Sequence, residues 1–385
     1  MPRQKIKKLC VFGSFDDSEL YSRNSSLIGA LTACSAQVVE VRPSHKSQVA
    51  SNHQRLASAG GLLNTALGVV KNFASLTRQR GKLSGADCYF VPYPAYLDVL
   101  LLQWLTPSRD RPTLVVDAFL CLHDTLVNDR KMLSPKGILS RMAAWLERRT
   151  LFAADLIFID TLQQKKLLLE QYGLEPDKIA VIPVGIDEVV WQPLPILPCS
   201  DSFRVLFWGT FIPLHGVDTI IRAAKLLQKS HPSIHIELIG DGQTAEAQAA
   251  LIVELEPGNI SWQRGLMSAA MLRQKVENAH CVLGIFGDSD KAGNVLPYKA
   301  YQAMASNKIL LSREGPAMST LLEGEAACGL VLVPPADPAA LAQALAEVAD
   351  SYTCSYGEPA TRALYDQRLS YTNVAQRVLN AVEGL

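Results

Sequence analysis

Two consecutive α/β domains, each a doubly wound parallel sheet with crossover helices, are predicted by three observations. The 385 residues exceed what one ordinary core holds and fit two domains of about 150 to 200 residues. Short apolar, β-branched runs alternate with longer amphipathic ones along the whole length, the pattern of strands joined by helices. A proline-rich stretch near the middle divides that alternation into two series.

In the first series, strands are expected at residues 9–13, 37–42, 88–91, 113–117, 156–160 and 179–183. The prolines of WQPLPILPCS (191–200) remove backbone donors and forbid a helix interior, so this stretch reads as the linker. The second series places strands at 204–208, 235–239, 259–262, 281–285, 308–312 and 329–333, followed by a helix at 338–349. A terminal helix at 369–382 carries Val374, Val378, Leu379 and Val382 at helical spacing and has no strand of its own to cover. The expected domains are therefore 1–195 and 196–365, with a helix of about 366–385 packing back on the first.

Lys plus Arg and Asp plus Glu both number 37, which argues against the global positive field of a nucleic-acid binder. The balance hides an asymmetry, because residues 1–190 carry an excess of positive charge and the remainder the matching negative excess. No acidic residue lies between Val41 and Ala86, where Arg42, Lys46, Arg55, Lys71, Arg78, Arg80 and Lys82 do. The segment RKMLSPKGILSRMAAWLERR (130–149) is also basic, and Leu139, Met142, Trp145 and Leu146 give it an apolar helical face. Two readings stay open: peripheral contact with an anionic membrane, or a basic solvated face whose apolar side lies in the domain core.

The apolar run 60–73 is shorter than the roughly 20 residues that span a bilayer, and residues 9–12 are too short for a signal-peptide core. Eight cysteines lie scattered without Cys-x-x-Cys spacing and read as reduced, mostly buried thiols of a cytoplasmic protein. The first strand ends Gly13-Ser14-Phe15-Asp16 without Gly-x-Gly-x-x-Gly, which disfavours a nicotinamide-dependent dehydrogenase. No metal and no cofactor are expected.

In open α/β sheets, ligands sit beyond the carboxyl ends of the strands, where helix N-termini present positive partial charge. Three such loops stand out in the second series. WGTFIPLHG (208–216) contains Gly209, Thr210, His215 and Gly216; IGDG (239–242) ends a strand on Gly240 and Gly242; GDSDKAGNVLPY (287–298) is long and polar. Together they suit a nucleotide diphosphate, whereas each alone is an ordinary strand-to-helix turn.

With these loops in place, the second half resembles the retaining glycosyltransferases of family 4. The likeness runs over residues 203–348 through WGTFIPLHGVDTIIRAAKLL, IELIGDGQT, NISWQRGLM, YQAMASNKILLS and GLVLVPPADPAALAQAL. Upstream, ADLIFIDT and IAVIPVGIDEVVWQP extend it to about residue 112. The resemblance implies a GT-B fold of two Rossmann-like domains facing a central cleft. It also implies a nucleotide-sugar donor held by the C-terminal domain, metal independence, and retention by front-face attack without an enzyme nucleophile. The implied donor-binding set is Gly209, Thr210, His215, Gly240, Gly242, Leu266 against the base, Lys291, Asn294, Val295, Leu296, Lys299 and Gln302.

Departures from the family fall on charged positions. Thr210 and His215 stand where an Arg and a Lys usually bind the diphosphate, and Asn294 and Gln302 stand where two glutamates are usual. Amides keep the hydrogen-bonding shape but lose the charge, so Lys291 and Lys299 are expected to supply the missing cations. PLHG together with LP-x-K resembles a subgroup of the family, which implies an active variant.

In the first domain the polar loop 117–130 makes His123 and Asp124 the candidates for catalysis, in contact with the acceptor hydroxyl or the transferring sugar, with plain loop hydrogen bonding as the alternative reading. Gly13, Ser14, Arg23 and Asp117 are candidates for the acceptor side, with Tyr21, Ser22 and Asn24 nearby. The expected partners are a nucleotide-diphosphate sugar and an acceptor glycan, lipid or small molecule. A catalytically silent scaffold and a nucleotide-sugar epimerase remain the alternatives.

Overall fold

Parallel strands buried on both faces need near-continuous apolar runs, and all twelve runs read from the pattern form strands, each within three residues of its expected ends. The computed structural model describes residues 6–18, 21–43, 59–107, 111–119, 121–129, 132–198, 201–265, 267–323, 329–352 and 361–384. The chain divides into two units, Met1–Val184 with Val374–Leu385, and Gly185–Asn373.

The first unit contains β1 (Ile6–Phe12), α1 (Ser22–Ala33), β2 (Ser35–Val41), α2 (Ala59–Arg78), β3 (Cys88–Val91) and α3 (Tyr96–Leu105). It continues through β4 (Thr113–Asp117), a π-helical turn (Asp124–Asp129), α4 (Ile138–Ala153), β5 (Leu156–Ile159), α5 (Leu162–Tyr172) and β6 (Ile179–Val181). All pairings are parallel, in the order β2-β1-β3-β4-β5-β6. Successive side chains of a strand point to opposite faces, which builds two cores. Leu9 and Val11 pack with Leu27 and Leu31 of α1, while Cys10 and Phe12 pack with Leu76 of α2 and Val99 and Leu102 of α3.

The second unit contains β7 (Phe203–Trp208), α6 (Val217–Ser230), β8 (Ile234–Ile239), α7 (Ala245–Leu255), β9 (Ile260–Gln263), α8 (Ala269–Glu277) and β10 (Cys281–Leu283). After these come α9 (Asp290–Asn294), α10 (Tyr298–Ala305), β11 (Ile309–Arg313), α11 (Pro316–Leu321), β12 (Leu330–Val333), α12 (Pro338–Ser351) and α13 (Thr361–Arg368). The order is β12-β11-β10-β7-β8-β9, the two-half arrangement of dinucleotide-binding sheets. The topological switch, where successive connections diverge, lies between β7 and β10.

The last helix, α14 (Tyr371–Glu383), places Val374, Val378 and Val382 in the core of the first sheet beside Leu9, Leu27 and Ile182. The boundary between the units precedes the proline-rich stretch rather than following residue 195. Trp191 stacks on Trp208 at 6.4 Å and 3°, and the Leu194 amide donates to the Ser306 carbonyl at 3.1 Å, which ties that stretch to the second sheet. Cys10, Cys34, Cys88, Cys121 and Cys281 are buried free thiols. Among the described residues, no helix is long and apolar enough to cross a membrane.

Arg23 and Asp117, expected on the acceptor side, bond to each other inside the first unit. The Arg23 guanidinium donates to both Asp117 oxygens at 2.8 to 3.0 Å and to the Ile182 and Pro183 carbonyls at 2.8 and 3.3 Å. Both side chains are buried, so the pair fastens α1 to the ends of β4 and β6. Removing one member of a buried pair leaves an uncompensated charge. Arg23→Met should therefore lower the unfolding free energy by about 3 to 5 kcal/mol, read as a drop in urea midpoint.

Candidate functional site

The candidate donor site is built on main-chain register. β7 and β8 pair over six residues, from Phe203 with Ile234 to Trp208 with Ile239, so the next residues, Gly209 and Gly240, lie side by side. A Cβ on Gly240 would overlap the Gly209 carbonyl oxygen, and φ there is +148°, where L side chains are disfavoured. Beyond Gly240, the Phe211 amide donates to the Asp241 carbonyl at 2.9 Å and the Thr244 amide to the Phe211 carbonyl at 3.0 Å. The loops after β7 and β8 are thus laced together through backbone.

Across the switch point a second set of backbone bonds does the same. The Phe286 amide donates to the His215 carbonyl at 3.0 Å and the Gly287 amide to the Leu214 carbonyl at 3.2 Å. Gly216, in the left-handed conformation at φ +59°, caps α6; a Cβ there would lie 2.5 Å from the Phe286 carbonyl carbon. These contacts set α6 and its positive N-terminal partial charge beside the loop that follows β10.

Lys299 rises from the first turn of α10 into this backbone cage. Its Nζ lies 3.7 Å from the centre of the Phe207 ring and 3.2 Å from where a Cβ on Gly209 would be. The side chain is 4% exposed, and its ammonium has no hydrogen-bond acceptor among the described residues. Burial alone pushes its pKa well below the usual 10.5. His215 stands beside it, edge-on to the same Phe207 ring at 5.7 Å.

One helical turn beyond Lys299, buried Gln302 accepts a hydrogen bond from the Trp208 indole N–H at 3.2 Å. An amide oxygen there holds Trp208 without bringing a carboxylate beside the buried lysine. Lys291 is buried in the short helix α9, capped by the Ser289 hydroxyl, which accepts from the Ala292 amide at 3.2 Å. Asp288 and Asp290 around that cap make an Asp-x-Asp pattern that the sequence reading missed; no cluster of three or more metal-binding side chains occurs among the described residues. Asn294 ends α9 half-buried, whereas Val295 and Leu296 pack towards Leu214 and Ile285 or are buried. Thr210 is exposed, Gly242 sits against the Phe211 backbone, and Leu266 lies outside the described residues.

Two arginines escaped sequence reading. Arg264 donates to both Asp241 oxygens at 3.1 and 3.2 Å and to Glu246 at 2.6 Å, and holds the Asp241 carboxyl below its usual pKa. Arg313 donates to the Gly287 and Ser289 carbonyls at 2.7 and 3.1 Å, which fixes the loop after β10. Neither lies in a glycine-rich motif, and only the fold brings each to its loop.

In the first unit, Gly13 and Ser14 pack on Asp98. Its carboxylate accepts from the Ser14 amide at 2.7 Å and hydroxyl at 3.3 Å, and burial raises it to about 6. The His123 amide donates to Glu147 at 2.8 Å and its ring meets the Ser140 hydroxyl at 3.1 Å, both on α4. Glu147 also accepts from the Tyr172 hydroxyl at 2.6 Å. The structure thus brings His123 to a buried carboxylate, while Asp124 begins the π-helical turn half-buried. Leu120 and Arg130 of this loop lie outside the described residues.

Residues 202–351, all in the second unit, match the family described as Glycosyl transferases group 1. Among solved structures, HepE of Anabaena in complex with UDP and glucose aligns over 99% of this chain and 100% of its own, with a TM-score of 0.67 at 15% identity. Sucrose-phosphate synthase of Thermosynechococcus elongatus aligns over 98% of each chain, with a TM-score of 0.68 at 12% identity. The fold is GT-B. Within that GT-B chain, a 93-residue segment is 34% identical to a protein of Acidothermus cellulolyticus named D-inositol 3-phosphate glycosyltransferase, covering 21% of this chain and 20% of that one. A protein of the same name from Paenarthrobacter aurescens is 31% identical over 101 residues, 24% of each. The matched segments thus span between a fifth and a quarter of these relatives.

The backbone cage is itself testable. Gly216→Ala should cost about 2 to 4 kcal/mol of stability, from left-handed strain plus overpacking, measured by chemical denaturation. Gly68→Ala, in α2 with open space around it, should instead be neutral or slightly stabilising.

Proposed function

We propose that this chain is a glycosyltransferase whose second unit holds a nucleoside-diphosphate sugar and delivers the sugar to an acceptor hydroxyl. Buried, unpartnered Lys299 carries the proposal. A cation without a counter-charge, set under a glycine-lined loop at the sheet's switch point, lacks the anion that would repay its desolvation. A diphosphate over Gly209 supplies that anion, with backbone N–H groups and the N-terminus of α6 adding donors. The match of residues 202–351 to group 1 glycosyl transferases and the complexes of HepE with UDP support this reading and make UDP the first nucleotide to test.

Chemically, the bond from the anomeric carbon to the diphosphate oxygen breaks and the electron pair leaves with the diphosphate. The acceptor oxygen bonds to the same carbon, and its proton passes to the departing phosphate. Stabilising the leaving diphosphate is the electrostatic task, assigned here to Lys299 with His215 beside it. Attack from the face the diphosphate leaves gives retention, in keeping with the resemblance to family 4. A glycan, lipid-linked or small-molecule hydroxyl is the acceptor class.

Calorimetry with UDP, GDP, ADP and CMP and their sugar conjugates tests this directly. One nucleoside diphosphate should bind saturably, and Lys299→Met should weaken it about 30- to 100-fold, the worth of a charge-assisted contact of about 2 to 3 kcal/mol. The same variant without ligand should melt higher, because about 1 to 3 kcal/mol of unsatisfied burial is removed. Folding lowers the Lys299 pKa, so the unfolded chain holds more protons and its destabilising contribution fades as pH rises towards 10.5. Donor binding should raise that pKa again, so at pH values above the free protein's Lys299 pKa nucleotide binding takes up a proton, visible as a buffer-dependent binding enthalpy. Unchanged affinity in Lys299→Met sinks the assignment; no binding of any nucleotide favours a silent scaffold.

A further inference from the structure

The apolar side of α4 faces outward. Ile138, Met142, Trp145 and Phe152 recur at helical spacing along one stripe and are 76%, 58%, 56% and 47% exposed, with Leu139 exposed alongside. The half of the helix that enters the core consists of small or polar residues: Ser140, Ala143, Glu147, Thr150 and Ala153, with Leu151. Of the two readings the sequence left open for this segment, burial in the core is thereby removed for Leu139, Met142 and Trp145, while Leu146 is half-buried. A soluble surface rarely carries so many large apolar side chains on one helix without an occupant.

Charge says which occupant. Lys136, Arg141, Arg148 and Arg149 are exposed on or beside the stripe, and the Arg148 guanidinium lies over the Phe152 ring at 4.5 Å. The single carboxylate of α4, Glu147, is buried and engaged by Tyr172 and the His123 amide, so the helix presents no acid to solvent. α3, packed on α4, adds exposed Leu97 and Trp104. By contrast, the acid-free run supplies less free charge than its composition suggests. Arg42 is paired with Asp17 at 2.8 Å and Glu40 at 3.2 Å, and Lys46 and Arg55 lie outside the described residues.

Apolar wedges with a tryptophan, arginines and no carboxylate form the surface that lies in the interface of an anionic bilayer. We propose that the outward face of α4 docks the first unit onto an anionic membrane. Trp145, Met142 and Ile138 enter the acyl boundary, and Arg141, Arg148 and Arg149 meet the lipid phosphates. The proposal is independent of the donor site, whose nucleotide binding is measured without lipid.

Flotation of the full chain with vesicles of equal parts phosphatidylglycerol and phosphatidylcholine tests it, against phosphatidylcholine alone. Partitioning should be at least tenfold stronger with the anionic vesicles and should weaken as salt rises. Met142→Ser with Trp145→Ser, and separately Arg141→Glu with Arg148→Glu, should each reduce it at least tenfold while melting temperature and nucleotide affinity stay unchanged. Equal partitioning to both vesicles, or none to either by the folded wild type, overturns the proposal. So does a concentration-dependent dimer that Met142→Asp dissolves without any vesicle binding, since the occupant is then a second copy of the chain.

Discussion

Backbone lying directly on backbone at the carboxyl end of the second sheet is the constraint on which the candidate site depends. The register of β7 with β8 places Gly209 beside Gly240, and Gly216 lies against the Phe286 carbonyl. Side chains at these points would push the three loops apart. Because nothing larger than hydrogen stands there, the loops close over Phe207 and Lys299, and the ammonium loses its water without gaining a partner. Desolvation of one charge is the energetic consequence of close main-chain packing, and it leaves the site in want of an anion.

The first unit treats its buried charges differently. Arg23 and Asp117 neutralise each other at the ends of β4 and β6, and Arg23 also caps two carbonyls. Nearby, Asp160 is buried and raised to about 6, with Arg23 only partly offsetting its desolvation. Asp160 Oδ1 has no hydrogen-bond partner among the described residues, whereas the Arg23–Asp117 pair is satisfied from within the unit. Lys299 of the second unit is not, and this contrast is why the donor reading rests there. Strand order differs as well: the first unit turns at β1 and β3 and the second at β7 and β10, although both were read from the same alternation of strand and helix.

Much of the fold was legible because its signals are local. Twelve apolar runs gave twelve strands, and Val374, Val378 and Val382 at helical spacing marked a helix that needed a partner. The glycine loops and Lys299 were legible too, since strand-ending glycines and a lysine after a polar loop occupy fixed places in chain order. Illegible were Arg264 and Arg313, whose loops lie 23 and 24 to 26 residues away in sequence. The packing of His123 was hidden because its partners, Ser140 and Glu147, sit a loop away on α4.

By itself, then, the sequence determined the number and kind of elements, the two-unit plan and the loops that surround the candidate donor site, because periodicity and turn chemistry act over a few residues. Tertiary structure alone decided the strand order, which of the basic residues are paired, and which side of α4 meets solvent. An amphipathic helix shows two faces in its sequence without saying which is covered. That is settled by what packs against it, and here mostly small or polar residues of α4, with Leu151, pack inward while Ile138, Leu139, Met142, Trp145 and Phe152 remain in water.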